Sequence, residues 1–510
     1  MKKIIKVVFS RMGLAALIVA VELALVFTLL LRLSAYSVYF FVILIGINII
    51  SLIAVINDEG NPEYKLTWMG VILFVPYLGV VMWALFRRHN MTRREIRVIG
   101  EIVDGLAPTK GEGELEELER ESTLARGKAR SLLSLDNMAE VYRGTVSKYF
   151  ASGREMYESM LSDIDGAEKF ILLEYFIISP GVMWDNILER LEKKAKCGVK
   201  VRVMYDDVGC MNRLPRHYTD ELRARGIEAT CFSRVSADVR NMRKNNNRDH
   251  RKLLIIDGKI AYTGGINISD EYIGETKPYG EWKDGGVRLL GDAAQGFTRL
   301  FHELWCFARH RYEDMHEYIT FSGGESDGGY YIPFGSGPSP MYKDSTGKRA
   351  ILDIVNQSQR YVYIMTPYII IDYDLTEALV GAACRGVDVR IITPGVADKP
   401  IVKMMTKGSY PRLIEGGVSV YEYTPGFLHA KILVSDDAYA TVGTVNLDYR
   451  SLVHHFEDAV WIYSSPTVTD IRDDFLSTVE VSRKMTETES LLGLVGGLVR
   501  SLIKLFAPLL

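Results

Sequence analysis

A histidine, a lysine and an asparagine recur at the same spacing in two parts of this chain. In the first copy they are His250, Lys252 and Asn267, with Asp257 and the pair Gly264-Gly265 between them. The second copy repeats this spacing with His429, Lys431, Asp436, Gly443-Thr444 and Asn446. Chance does not readily explain two copies of H-x-K-x-x-x-x-D with identical spacing, each beside an apolar run.

The apolar runs beside both motifs, residues 253–256 and 432–434, predict buried strands. Because side chains on a strand alternate between faces, the histidine and lysine of each motif share a face. Asp257-Gly258 is typical of a tight turn, and residues 259–263 indicate the returning strand. The small residues that follow let the backbone approach neighbouring groups closely. They also bring the asparagine back towards the face that carries the histidine and the lysine.

An imidazole, an ammonium and a carboxamide together suit a phosphoryl group. Its oxygens need positive charge and hydrogen-bond donors, while a group that titrates near neutrality attacks or protonates. We therefore assign the two histidines and two lysines to catalysis, with Asn267 and Asn446 binding substrate. Asp257 and Asp436 complete the catalytic motifs, but they stand at strand ends, where a turn or structural role is an equal alternative.

Composition and charge argue against other kinds of site. A net charge of −3 over 510 residues gives no sign of nucleic-acid binding. The five cysteines lack C-x-x-C spacing and are expected to be reduced thiols. The adjacent His454 and His455 would point apart on a strand, with no cluster of cysteines or carboxylates beside them, so we expect no metal site. No P-loop is found, and no cofactor is expected.

Three apolar runs, residues 12–31, 35–56 and 66–86, open the chain. Each reaches the length of about 20 residues that a membrane span needs, and a signal peptide is the alternative for the first. Basic residues flank both ends of this region, which conflicts with three spans under the positive-inside tendency. We therefore expect a hairpin of the second and third runs, a first run that spans or lies in the interface, and a cytoplasmic catalytic part.

Strand and helix signals alternate from residue 141, and the second half repeats the first. The same sequence pattern occurs at residues 197–202 and again at residues 385–390. Strand, helix and strand in this order predict βαβ units in two similar α/β lobes, each with a largely parallel sheet. The predicted boundaries are a membrane anchor over 1–90, a charged linker over 91–140, lobes over 141–322 and 341–485 with a junction over 323–340, and an amphipathic interfacial or packing helix over 486–510.

The doubled motif resembles that of the HKD phospholipase D superfamily. Its flanks, residues 248–252, 262–267 and 282–284, are similar to those of bacterial cardiolipin synthases, and the resemblance covers nearly the whole chain. It implies two phospholipase D-like lobes that face one active site, in a multi-pass protein of the bacterial inner membrane. The resemblance also implies that Asp257 and Asp436 are more structural than chemical.

A catalytic imidazole usually needs an acceptor that fixes its tautomer. Glu457 resembles the acidic residue that orients a motif histidine in the superfamily, and Asp284 is expected to do this for the first motif. His455 stands where many relatives have asparagine.

The resemblance implies a two-step transfer between two molecules of the membrane phospholipid phosphatidylglycerol. His250 would attack phosphorus and form a phosphohistidine, and His429 would protonate the departing glycerol and then activate the second lipid; the two roles could be exchanged. Such a relay needs neither nucleotide nor metal ion. Water as acceptor would give a phospholipase D, phosphatidylethanolamine as donor would give another route to cardiolipin, and a nuclease or an inactive membrane scaffold are the remaining alternatives. The oligomeric state stays open.

Overall fold

The structure is a computed structural model and describes residues 37–58, 62–76, 78–86, 93–106, 113–234, 247–319, 323–342 and 344–486. The described residues form two compact units, one within residues 1–90 and one within residues 91–507. The apolar run predicted over 12–31 lies outside the described residues, as does the C-terminal helix apart from Thr486.

The described part of the first unit is helical. Its helices are α1 (Ser37–Ile56), α2 (Pro62–Phe74) and α3 (Leu78–Phe86). The run predicted as one span over 66–86 is therefore divided, because Pro76 lacks an N–H group and its ring disfavours a continuous helix. Among the described residues, no helix combines the length and the apolarity needed to cross a membrane.

The segment predicted as a charged linker, 91–140, packs against the lobes, so this prediction is corrected. It contains α4 (Arg93–Leu106), α5 (Gly113–Glu121) and α6 (Thr123–Leu135). Apolar side chains of all three helices lie in the hydrophobic core, among them Ile102, Leu118 and Leu132. These apolar residues recur at helical spacing within the charged sequence, which provides each helix with one buried side.

The first lobe is built on a sheet of seven strands. They are β1 (Thr145–Phe150), β2 (Phe170–Tyr175), β3 (Lys200–Asp206), β4 (Glu228–Phe232), β5 (Lys252–Ile256), β6 (Ile260–Gly264) and β8 (Gly286–Gly291), in the order β1-β8-β6-β5-β2-β3-β4. Helices α7 (Gly153–Gly166), α8 (Val182–Lys196), α9 (Asp207–Cys210), α10 (Tyr218–Ala224) and α11 (Ala294–Arg309) complete it. Only β2, β3 and β4 run parallel, because β5 and β6 return as a hairpin; the prediction of a largely parallel sheet was wrong.

The second lobe repeats this plan on a sheet of eight strands. They are β9 (Tyr330–Ser336), β10 (Tyr361–Met365), β12 (Asp388–Pro394), β13 (Ser419–Tyr423), β15 (Ile432–Ser435), β16 (Tyr439–Gly443), β18 (Glu457–Tyr463) and β19 (Ser482–Lys484), in the order β19-β13-β12-β10-β15-β16-β18-β9. Its helices are α12 (Thr346–Gln357), α13 (Tyr373–Cys384), α14 (Pro400–Glu415) and α15 (Pro466–Glu480). The predicted junction, 323–340, contains the buried strand β9, whose Pro333 is tolerated at the sheet edge.

Both histidine motifs begin at the same edge of their sheets. Lys252 at the start of β5 pairs with Tyr175 at the end of β2, and Ile432 at the start of β15 pairs with Met365 at the end of β10. We call this end of the strands, in both sheets, the catalytic edge. Short strands β7 (Glu281–Lys283) and β14 (Gly426–Leu428), one from each lobe, pair in parallel beside it. The strands β11 (Ile369–Ile370) and β17 (Leu447–Asp448) pair within the second lobe.

The two motif aspartates lie at the opposite edge. Asp257 accepts hydrogen bonds from the N–H groups of residues 168, 169 and 170, and Asp436 accepts them from residues 359, 360 and 361. Both residues have positive φ, 52° and 58°, as the tight turn requires. A strand of five residues separates Asp257 from Lys252 by about 16 Å at about 3.3 Å per residue. The inclusion of both aspartates among the catalytic residues is therefore corrected, because they fix the turn and not the site.

We predict that Asp257→Ala lowers the free energy of unfolding by about 1–3 kcal/mol, because it removes charge-assisted hydrogen bonds to three N–H groups. Thermal unfolding of the full chain in detergent measures the loss. Asp257→Asn is the matched control, since asparagine tolerates positive φ and keeps one acceptor oxygen. Equal melting temperatures for the wild type and Asp257→Ala would contradict the anchoring role.

Candidate active site

His250 hydrogen bonds to a carboxylate of the other lobe. Its Nδ1 lies 2.8 Å and 3.0 Å from the two carboxylate oxygens of Glu457, the first residue of β18. The backbone N–H of His250 donates to the carbonyl oxygen of Phe456 at 2.8 Å, which holds the two segments together. Glu457 also accepts hydrogen bonds from the hydroxyl groups of Thr444 and Ser451. Its carboxylate is therefore fixed from three directions.

His429 has the mirrored arrangement. Its Nδ1 lies 2.9 Å from Oδ2 of Asp284, and its backbone N–H donates to the carbonyl oxygen of Lys283 at 2.7 Å. The expectation that Asp284 orients the histidine of the first motif was wrong. Parallel pairing of β7 with β14 carries Asp284 out of its own lobe and onto the second motif. Each lobe therefore supplies the carboxylate for the histidine of the other.

These contacts fix the tautomer of both imidazoles. An ionised carboxylate accepts the proton on Nδ1, so Nε2 of the neutral ring carries the lone pair. Burial raises the pKa of Glu457 well above its usual value, and the charge of Lys252 and the hydroxyl groups of Ser451 and Thr444 act in the opposite direction. Burial, followed by the charge of Lys252, lowers the pKa of His250 well below its usual value. Burial and Lys431 lower the pKa of His429 to about 4, although Asp284 acts in the opposite direction. Both rings are therefore neutral near pH 7 before an anion binds.

The two motif lysines are buried beside the histidines. Lys252 donates from Nζ to the carbonyl oxygen of His250 at 2.8 Å, and Lys431 makes the equivalent bond to His429. Burial lowers the pKa of both ammonium groups, to about 7 for Lys431. The carboxylate that holds each histidine comes from the other lobe, so the two motifs form one site. Burial makes the two charged ammonium groups costly in free energy, and an anion that binds between the motifs would offset this cost.

The two asparagines differ in their surroundings. Asn267 uses its carboxamide within the protein: Oδ1 accepts from the N–H of Ile177 at 3.1 Å, and Nδ2 donates to the hydroxyl of Tyr272 at 2.6 Å. Asn446 is also buried, and its Oδ1 has no hydrogen-bond partner among the described residues. Because Oδ1 is an acceptor, Asn446 can receive a hydrogen bond from a substrate hydroxyl, whereas Asn267 uses its carboxamide to hold the site together.

His455 joins His250 and Glu457 in a group whose possible ligand atoms lie within 4.8 Å of one another. The electrostatics of this group favour an anion over a divalent cation. Two ammonium groups, Lys252 and Lys431, act on His250, and Arg450 donates from Nε to His455 at 3.2 Å. The positive charge that surrounds these ligand atoms would repel a metal ion.

Several residues of the site were not predicted from the sequence. Thr444 and Ser451 support Glu457, and an aromatic wall packs around His429. The ring centroid of His429 lies 5.5 Å from that of Tyr272, 5.8 Å from that of Trp282 and 6.0 Å from that of Phe427. The sequence offered one signal for Thr444, since it replaces the second glycine of the first motif. The aromatic wall comes from segments far apart in the chain, and only Trp282 gave a signal, because it lies in the flank 282–284 that carries the family resemblance.

Comparison with known proteins identifies the architecture. Residues 160–305 and 351–479 match the family described as cardiolipin synthase, PLD-like domain, and residues 46–88 match a phospholipase D-nuclease N-terminal family. The chain belongs to the PLD-like cardiolipin synthase family. It is 32% identical over 431 residues to cardiolipin synthase 2 of Staphylococcus epidermidis, covering 83% of this chain and 87% of that protein.

Two further proteins are similar to this chain over most of its length. An uncharacterized protein of Streptococcus mutans is 39% identical over 474 residues, covering 90% of this chain and 99% of the relative. The crystal structure of phosphatidylserine synthase from Haemophilus influenzae superposes with a TM-score of 0.56 at 15% identity, over 75% of this chain and 98% of that one. At this identity the superposition supports the two-lobed α/β fold alone.

We predict that both motif histidines are neutral at pH 7 with the proton on Nδ1. Histidine-selective ¹⁵N NMR of the full chain in detergent reports the tautomer, and spectra of His250→Gln and His429→Gln assign the two signals. Asp284→Asn is expected to change the signal of His429 and leave that of His250, and Glu457→Gln should do the reverse. A change in the histidine of the same lobe would contradict the exchange of carboxylates.

Proposed function

We propose that this protein makes cardiolipin and glycerol from two molecules of phosphatidylglycerol. The observation that carries the proposal is the pair of buried histidines, each held through Nδ1 by a carboxylate of the opposite lobe. This arrangement supplies one nucleophile and one proton carrier to a single anionic site. Membership of the cardiolipin synthase family supports the choice of lipid substrate.

In the first step Nε2 of His250 attacks phosphorus and the bond from phosphorus to the glycerol headgroup breaks. A phosphohistidine remains on the enzyme, and the departing glycerol oxygen takes a proton from His429. Glu457 accepts the Nδ1 proton of His250 in a hydrogen bond and stabilises the positive charge that develops on the ring.

In the second step the neutral His429 accepts the proton of a hydroxyl on a second phosphatidylglycerol. The resulting oxygen attacks phosphorus, the N–P bond breaks, and His250 regains its lone pair. One phosphodiester replaces another, so the enzyme conserves the bond energy and the relay needs no nucleotide.

The low pKa of His429 has a consequence for the first step. A general acid must hold a proton at the start, and His429 is neutral in the free enzyme near pH 7. The negative charge of a bound phosphodiester raises the pKa of a nearby imidazole. Substrate binding thus prepares the acid, and Lys252 and Lys431 bind the phosphoryl oxygens.

We infer that the protein acts at the bacterial inner membrane as a multi-pass protein with its lobes on the cytoplasmic side. The apolar runs within residues 1–90 and the lipid substrate support this placement. Residues 46–88 match a different family from the one that matches the lobes, which supports a role for this region separate from catalysis.

We predict that His250→Ala and His429→Ala each lower turnover by at least about 10³-fold with the fold retained. The assay uses the full chain in vesicles of phosphatidylglycerol, with chelator and no nucleotide, and quantifies cardiolipin, glycerol and phosphatidic acid. His316→Ala is the matched control because its side chain is 84% exposed outside the site. Full turnover by either site variant would disprove the relay, and phosphatidic acid as the main product would indicate a phospholipase D.

We predict that kcat/KM falls as the pH rises above about 7, because Lys431 has a pKa of about 7 and loses its charge. The ammonium is present below this pH and absent above it, so binding of an anionic phosphodiester weakens on the alkaline side. Lys431→Arg keeps its charge and should move this decline to higher pH, although its maximal rate is expected to be lower. An unchanged alkaline decline in Lys431→Arg would assign it to another group.

A further inference from the structure

Most exposed apolar side chains of the catalytic unit gather at one edge. Nine large apolar residues of the described part of residues 91–507 are exposed. Six of the nine form what we call the apolar rim: Val182, Met211, Tyr373, Val396, Ile401 and Val481. Among the other three, Leu290 lies in β8 opposite Ile260, at the far end of the β5–β6 hairpin from His250.

The topology places the apolar rim at the catalytic edge of both lobes. In the first lobe Val182 opens α8 after β2, and Met211 follows β3 and α9. In the second lobe Tyr373 opens α13 after β10, and Val396 and Ile401 follow β12.

Val481 belongs to the same edge by pairing. It precedes β19, whose Ser482 pairs with Tyr423 at the end of β13. Equivalent loops of the two lobes thus present apolar residues on either side of the entrance to the site.

The charges beside these residues suit an anionic surface. Arg216 is exposed near Met211, and Lys399 is exposed between Val396 and Ile401. Two carboxylates of the second lobe are engaged within the protein: Asp374 contacts Lys348 at 2.8 Å, and Asp398 accepts from the hydroxyl of Tyr368 at 2.6 Å and lies 3.9 Å from Lys399.

Apolar residues flanked by cations are the composition of surfaces that enter the headgroup layer of a membrane. We propose that the apolar rim docks the catalytic edge on the surface of an anionic phospholipid bilayer. This inference rests on the proposed function, because a lipid substrate keeps its acyl chains in the bilayer while its phosphorus reaches the site. His250 and His429 are buried, 7% and 9% exposed, so the entrance must lie against the headgroups for the phosphodiester to reach them. Contact by the catalytic unit itself is separate from any anchoring by residues 1–90.

The chain contains its own reference positions for a test. Cys197 and Cys384 are exposed, and they precede β3 and β12, at the edge opposite the apolar rim. In a Cys197→Ser, Cys384→Ser background, Met211→Cys or Val396→Cys would place a bimane label on the rim of either lobe. The reference retains Cys384 and changes only Cys197.

The full-length variants are reconstituted in phosphatidylglycerol vesicles that contain a lipid with a nitroxide near the headgroup. We expect the nitroxide to quench both rim labels at least about twofold more than the label on Cys384. Equal quenching at all three positions would overturn the proposal. This measurement needs no turnover, so a protein that makes no cardiolipin but has quenched rim labels would refute the proposed function and leave the docking surface standing.

Activity supplies a second readout. For Met211→Asp and Ile401→Asp, we expect the ratio of turnover on vesicles to turnover on a short-chain, monomeric phosphatidylglycerol to fall about tenfold or more, because a charge resists entry into the headgroup layer. Leu124→Asp is the control, since it changes an exposed residue in the first turn of α6, where a carboxylate favours the helix. Equal ratios for the wild type and both rim variants would overturn the proposal.

Discussion

Each motif histidine donates its Nδ1 proton to a carboxylate of the other lobe, and the site depends on this exchange. Glu457 serves His250, and Asp284 serves His429. Neither lobe holds a complete pair, so the contact between lobes is part of the catalytic apparatus. The backbone hydrogen bonds from His250 to Phe456 and from His429 to Lys283 fix both crossings at the residue that precedes each carboxylate.

Burial gives the exchanged pairs their chemical character. The site places two lysines and two imidazoles where water is largely excluded, and it lowers the pKa of each group. Such a pocket is costly when empty and favourable when a phosphodiester enters it. The surroundings of the two histidines are unequal, since Phe176 and His455 pack near His250 whereas Tyr272, Trp282 and Phe427 pack near His429. This inequality fits one nucleophile and one proton carrier within a repeated fold.

The repeat, the two lobes and the catalytic groups could be read from the sequence because they depend on local spacing. His250 and Lys252 stand two residues apart at the start of a strand, and that spacing alone puts them together. The partner of Asp284 could not be read this way, since it depends on the pairing of β7 with β14 across 145 residues. The antiparallel return at Asp257 was predicted correctly, but the largely parallel sheet was not, because alternating strand and helix signals extend only to β4, after which hairpins dominate. The charged sequence of residues 91–140 predicted a linker, but Leu115 and Leu118 within it are buried.

The turn at Asp257 shows why the motif has a fixed length. The motif runs across the sheet from the catalytic edge, where His250 and Lys252 lie, to the opposite edge, where Asp257 accepts three N–H groups. The strand therefore sets a fixed distance between the catalytic residues at one end and the turn at the other. An extra residue between Lys252 and Asp257 would have to bulge or turn every following side chain to the other face of the sheet. The spacing within H-x-K-x-x-x-x-D is thus set by the length of the strand between the two ends of the sheet. A sequence search that allows this spacing to vary would describe a different architecture.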